Sequence, residues 1–318
     1  MTSSLRSPGL LDLDLSLYQI SPHIDFMKFS CGSVDLGLPS GRVKRNSDSS
    51  GKPILTLHDP RPEEIRVIAE MAPNAVLEEL EVSLDFFPKK GRSLSLIDRH
   101  ERLEQVRQWL VDRLYPWDAP GIQVSSRASK ASGNVGTLCS GDVARRPYGH
   151  ETLYLGHKEA KYACRDQPNF AFMRVYRKVT DNRRALPPDK HCCRIEVNLN
   201  REGCAHFKLQ HPSDLHVFNY RELGRYFRLI RPQAKPNAFT ELRRSKPKMA
   251  EVLEKAQVGL LNDRLKLVGA YAAGFQRSSF IISERAAKAN DRSQQALKSL
   301  TRTWRKGRAS VETGTMAL

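Results

Sequence analysis

Three stretches of this 318-residue chain alternate polar and apolar side chains. In "LEELEVSLDFFP", Glu81, Ser83 and Asp85 fall on one side of a strand, and Val82, Leu84 and Phe86 on the other. In "AFMRVYRKV", Arg174, Tyr176 and Lys178 share a side. In "HCCRIEVNLN", Arg194, Glu196 and Asn198 oppose Ile195, Val197 and Leu199. If these strands are neighbours, carboxylates and cations converge on one surface. Carboxylates from separate strands can hold a hard divalent cation such as Mg²⁺ or Mn²⁺. Such a cation polarises a phosphodiester, and Arg or Lys beside it hold neighbouring phosphates. Any antiparallel sheet with one wetted face alternates in the same way, and cross-strand Glu–Arg pairs are routine there. Spacing alone leaves both readings open.

The elements that would position these side chains follow from pattern. "PILTLHDP" reads as a short strand and turn, and "PRPEEIRVIAEM" as a helix with prolines in its first turn and Glu63 and Glu64 at its positive end. "SLIDRHERLEQVRQWLVDRLYPW" is an amphipathic helix with an apolar stripe of Leu103, Val106, Leu110, Val111 and Leu114. "ETLYLGH", "AFMRVYRKV" and "HCCRIEVNLN" form a run of three strands, with turn chemistry in "TDNRRALPPDK" between the last two. "NYRELGRYFRLI" reads as helical. The expected class is α+β, an antiparallel sheet with helices on one face.

Residues 1–50 read as a poorly ordered N-terminal segment, because "SGRVKRNSDSSGKP" is polar and aperiodic. Residues 51–235 form the α+β core, and 236–318 a basic, mainly helical region with helices near 248–272 and 282–304. Residues 121–150 carry no clear period.

The net charge of +17 points to a polyanion, foremost nucleic acid. From residue 235 onward, 17 Lys and Arg face 7 Asp and Glu, an excess of +10. Candidate nucleic-acid contacts are Arg243, Arg244, Lys246, Lys248, Arg302, Arg305 and Lys306, with Arg194 in the core. No apolar run approaches the roughly 18–20 residues that span a bilayer, so no membrane partner is expected. Asp12 and Asp14 break up the N-terminal apolar positions, and a cytoplasmic protein is expected. The six cysteines form no C-x-x-C pair and read as small buried thiols.

The succession "TLYLG", "MRVYRK", "RIEVNLNRE" and "YRELGRYFRLIR" resembles the Rep_trans replication-initiation family of rolling-circle plasmids and phages. The likeness covers about residues 80–235. It implies a sheet-based catalytic core related to HUH endonucleases. It also implies nicking and rejoining of one strand at an origin, through a tyrosyl-phosphate intermediate and a divalent cation, Mg²⁺ or Mn²⁺. The implied partners are origin duplex and single-stranded DNA, a host helicase and a second copy of the chain. By the same resemblance, Glu196 is the first metal ligand, with Asp85 second and Glu81 behind it. Arg174 and Lys178 take the basic positions of the R-x-Y-x-K strand, and Tyr154 and Tyr176 the strand tyrosines that pack.

The family's nucleophilic tyrosine follows the R-x-E strand, and here that region reads "NREGCAHFKLQHP", without tyrosine. Three readings follow. Tyr220, the nearest tyrosine downstream, is the nucleophile. Alternatively, His206 contributes to the metal or to an unusual nucleophile. The third is a DNA-binding protein that does not cut.

Overall fold

The computed structural model describes residues 13–32, 36–38, 41–47, 50–89, 94–114, 119–122, 152–156, 168–181, 184–229, 244 and 284–312. A long strand, β1 (Tyr18–Ser30), opens the fold. It is followed by β2 (Val43–Ser47), β3 (Pro53–His58), α1 (Pro62–Met71), β4 (Val76–Pro88) and α2 (Leu96–Arg113). Then come β5 (Leu153–Leu155), β6 (Ala171–Lys178), a small hairpin of β7 (Thr180–Asp181) and β8 (Arg184–Ala185), and β9 (Cys192–Leu199). A short helix, α3 (Arg201–His206), two 3-10 turns (Pro212–His216 and Tyr220–Arg225) and a 29-residue helix, α4 (Glu284–Glu312), follow, and shorter 3-10 turns lie at Leu15–Leu17 and Pro188–Lys190.

Seven strands make one sheet in the order β2-β3-β1-β4-β9-β6-β5, and every pairing is antiparallel. The α+β class holds. The N-terminal segment does not stay unstructured. β1 lies inside the sheet between β3 and β4, and β2 forms within the polar stretch as an edge strand with exposed side chains. Two features hid β1 from the pattern. Pro22 removes a backbone donor, yet β3 reaches only Phe26–Ser30, so at Pro22 the strand has β4 as its sheet neighbour. A bulge between Ile24 and Phe26 then breaks the alternation.

One sheet face is a conventional core. Val82, Leu84 and Phe86 of β4, Met173 and Val175 of β6, and Ile195 and Val197 of β9 are buried in it. α2 packs against β4, β6 and β9, burying Val106, Trp109 and Leu110. Its N-terminus is capped by Ser95, whose Oγ accepts from the Asp98 N–H at 3.1 Å. α4 packs on β1, α1 and both of the longer 3-10 turns through Ala289, Ala296, Leu297, Leu300 and Trp304. The helix expected near 282–304 is α4, and that expected near 248–272 lies outside the described residues. The helical reading of residues 219–230 resolves to the 3-10 turn Tyr220–Arg225.

Asn200 ends β9 and starts α3. Its Oδ1 accepts from the Gly203 N–H at 2.9 Å and its Nδ2 donates to the Asn169 carbonyl at 2.5 Å. Loss of such a cap costs about 0.5–2 kcal/mol, so Asn200→Ala is expected to lower the urea midpoint of unfolding accordingly. An unchanged midpoint would show that this junction needs no cap. The described cysteines, Cys31, Cys192, Cys193 and Cys204, are free and buried, as expected; Cys139 and Cys164 lie outside the described residues.

Candidate active site

The other face of the sheet is polar and nonetheless covered. All eight residues of β9 are buried. Glu81, Ser83, Asp85, Arg194 and Glu196 are each less than 5 % exposed. Buried charges survive only with partners, so the cross-strand register decides the site. Between β4 and β9 it places Glu81 opposite Asn198, Ser83 opposite Glu196 and Asp85 opposite Arg194. Between β6 and β9 it places Arg174 opposite Glu196 and Tyr176 opposite Arg194. The three polar faces seen in the sequence therefore adjoin. β1 adds His23, opposite Ser83, and Asp25, the extra residue of the bulge.

Arg194 is the hub. Its Nε and Nη2 clasp Asp85 at 2.6 and 2.8 Å, Nη2 meets His23 Nε2 at 2.9 Å, and Nη1 pairs with Asp25. Arg174 Nη2 donates to both Glu81 oxygens at 3.1 and 2.9 Å and lies 2.5 Å from Glu196 Oε2. Lys178 sits 3.6 Å from Asp25. Asn198 Nδ2 donates to Glu79 at 2.6 Å and Glu81 at 3.1 Å. The Tyr176 hydroxyl donates to Glu196 Oε1. Arg174, Lys178, His23 and Asp25 are half-buried and form the rim of a charged floor.

Oxygens of Asp25, Glu81 and Glu196 lie within 4.8 Å of one another. An all-carboxylate set suits a hard cation such as Mg²⁺ or Mn²⁺. Ser83, fully buried on the same floor between Glu81 and Asp85, has a hydroxyl without a hydrogen-bond partner among the described residues. Three carboxylates from three strands, with the unpartnered Ser83 hydroxyl beside them, make a hard-oxygen donor set that fits such an ion. His23, Asp25 and Asp59 make a second trio sharing Asp25.

Burial pushes the Glu81 carboxyl up to about 8, and neighbouring Glu196 adds to this against the pull of Arg174. Asp25 goes the other way. Burial alone would raise it, but the His23 hydrogen bond and the Arg194 and Lys178 cations hold it well below the usual carboxylate range. Burial, then Glu196, push the Tyr176 phenol far above its ordinary value. Glu81 carries a stability consequence. A folded carboxyl raised from 4.5 to about 8 binds more protons than the unfolded one between those values. Metal-free protein is therefore expected to lose stability as pH rises from about 5 through about 8, an effect that added Mn²⁺ flattens; urea midpoints along a pH series measure it. A midpoint flat across that window in Glu81→Gln, and sloping in the native chain, assigns the effect.

Glu196 and Glu81 stand in the carboxylate trio. Asp85 does not; Arg194 holds it bidentately, and Asp25 takes the third place. Arg174 and Lys178 rim the site as expected. Arg194 is no surface contact for nucleic acid, being 3 % exposed and ion-paired throughout. Tyr220 is withdrawn as nucleophile. It is fully buried, and its hydroxyl donates to the Leu215 carbonyl at 3.2 Å. His206 stacks on Phe170 with ring centroids 4.5 Å apart and is outside the carboxylate cluster. Arg244, Arg302, Arg305 and Lys306 are exposed, the last three on α4; Arg243, Lys246 and Lys248 lie outside the described residues.

Sequence reasoning missed His23 and Asp25. The available signal was period two over Gln19, Ser21, His23 and Asp25 against Tyr18, Ile20, Pro22 and Ile24. Tyr176 was read as a packing residue, yet its hydroxyl is on Glu196.

No family model matches the chain, and no curated protein does. Among solved structures, the chain is similar to the rolling circle replication initiator protein from Geobacillus stearothermophilus. The identity is 10%, the alignment covers 83% of this chain and 100% of that one, and the TM-score is 0.31. A likeness of that degree fixes neither fold nor function, which rest on the geometry above. Among the described residues, no helix is long and apolar enough to cross a membrane.

Proposed function

We propose that the chain is a DNA-nicking and rejoining protein of the rolling-circle initiator type, with Mg²⁺ or Mn²⁺ as its cofactor. The observation that carries this is the gathering of Asp25, Glu81 and Glu196 within 4.8 Å on a buried floor, rimmed by Arg174 and Lys178. Two of the stretches that resemble Rep_trans initiators, "MRVYRK" and "RIEVNLNRE", supply Arg174, Tyr176 and Glu196 to this face. The basic helical surface, including Arg302, Arg305 and Lys306, supplies duplex contact.

Asp25, Glu81 and Glu196 would hold the cation, which polarises the scissile phosphate when bound. Arg174 and Lys178 clamp its non-bridging oxygens. Tyr176 takes the nucleophile's role. Among the tyrosines whose side chains are described, the hydroxyls of Tyr18, Tyr220 and Tyr226 are committed to backbone carbonyls, and that of Tyr176 is on the cluster. Its oxygen attacks phosphorus and its proton passes to Glu196. The bond from phosphorus to the 3′ oxygen breaks, and that oxygen takes a proton from water. The 5′ phosphate stays on the tyrosine, and attack by a 3′ hydroxyl reverses the step.

The internal pairing of Arg194 with Asp85 and of Arg174 with Glu81 and Glu196 favours a second reading, a non-catalytic DNA-binding protein on the same core. Labelled single-stranded origin DNA with Mn²⁺ separates them. A denaturation-resistant protein–DNA adduct is expected from the native chain and not from Tyr176→Phe, which keeps DNA binding. Absence of any adduct or nick with cognate DNA leaves the non-catalytic reading. An adduct persisting in Tyr176→Phe rejects Tyr176.

A further inference from the structure

The bulge in β1 sets an aromatic ring among charges. Ile24 and Met27 are buried in the core, whereas Phe26 stands opposite Glu81, on the polar side of the sheet next to Asp25. Its other cross-strand neighbour is His58 of β3. Phe26 is therefore one strand, roughly 4.8 Å in backbone spacing, from a carboxylate of the trio. Its ring is half-buried, 6.0 Å from that of His58 and tilted by 56°. Lys28 Nζ is 5.5 Å from the ring centroid and is itself paired with Glu79.

Two polar atoms of β3 on this side are unmet. Leu55 and Leu57 belong to the core, so Thr56 and His58 face the polar side. Thr56 is 5 % exposed and lies between Lys28 of β1 and Lys44 of β2. Thr56 Oγ1 and His58 Nε2 are buried without a hydrogen-bond partner among the described residues. Such groups cost folding free energy unless something meets them. A ring on a sheet face, unmet hydrogen-bonding atoms beside it and flanking ammonium groups match the three parts of a nucleotide: a flat base, a polar edge and a phosphate. A purely apolar ligand would leave the hydroxyl and the imidazole unmet, and a lone anion would leave the ring bare.

We infer that Phe26, His58 and Thr56 form a nucleotide subsite for single-stranded DNA beside the carboxylate trio. The net charge of +17 suits that partner. The inference rests on the proposed function only in that a DNA strand crosses this face; it needs neither cleavage nor a cation.

Anisotropy of labelled oligothymidylate, measured on the full chain without divalent cation across a salt series, tests it. Phe26→Ala is expected to weaken binding about tenfold or more, with an unchanged slope of log affinity against log salt, because stacking releases no counterions. Phe26→Tyr restores binding. A duplex hairpin, whose bases are already stacked, binds the native chain and Phe26→Ala alike. Thr56→Val weakens single-strand binding severalfold while the melting temperature stays level or rises, since an unmet hydroxyl has been removed. If Phe26→Ala loses single-strand affinity while no cognate DNA is nicked, the subsite stands and the nicking reading falls. An equal loss for single strand and duplex assigns Phe26 to the fold and overturns the inference. Native single-strand affinity in both Phe26→Ala and Thr56→Val, or a native chain that binds no single strand, overturns it too.

Discussion

Glu196→Gln is expected to abolish Mn²⁺-dependent nicking, by about a thousandfold or more, while salt-sensitive DNA binding persists. The size follows from the several kcal/mol of charge stabilisation that a cation supplies, at 1.36 kcal/mol per decade of rate. Glu196 touches every working part of the site. It is one of three carboxylates within 4.8 Å, it accepts from Tyr176, and it pairs with Arg174. The amide keeps the shape and a hydrogen bond from Tyr176 but removes the charge. A second readout separates metal loss from misfolding. The variant relieves the repulsion that helps raise the Glu81 carboxyl, so metal-free protein becomes no less stable, and its melting temperature no longer climbs with added Mn²⁺. Full nicking by Glu196→Gln would remove the carboxylate trio from the mechanism.

Arg194→Leu carries the largest expected effect on stability. It strands Asp85, 4 % exposed, and deprives Asp25 and Glu196 of a shared cation. Removing one partner of a buried ion pair costs about 3–5 kcal/mol, a large share of the roughly 5–15 kcal/mol that holds a domain folded. Urea unfolding measures it. Arg194→Leu/Asp85→Leu is expected to recover much of it, because the cost lies in the unpaired charge rather than in the missing bond. A loss below about 1 kcal/mol would mean that the floor is wetter than its burial indicates.

How much of this was legible in the sequence depends on where alternation survives. β4, β6 and β9 alternate without interruption, and their polar faces do meet. α2 showed its stripe and α4 its helical period. β1 was lost because Pro22 sits within its alternation and the bulge after Ile24 ends it, so a period of two over only residues 18–25 marked His23 and Asp25. The choice between Asp85 and Glu81 as metal ligand was not in composition at all. It hangs on register, which sets Asp85 opposite Arg194 and Glu81 opposite Asn198. Tyr220 failed as nucleophile for a similar reason. Proximity along the chain brought it forward, whereas packing against Phe218 and Trp304 took its hydroxyl inside.

The strand order has a consequence in time. β9 is inserted between β4 and β6, although both of those leave the ribosome before it. Until residues 192–199 emerge, the nascent chain holds Asp25, Glu81 and Asp85 without Arg194, and Arg174 and Tyr176 without Glu196. The floor cannot be neutralised, and the two halves of the sheet cannot join, before that moment. A fragment ending ahead of β9 therefore has the acids and the tyrosine but no assembled centre. On the proposed function, the capacity to cut DNA would be withheld from every unfinished copy.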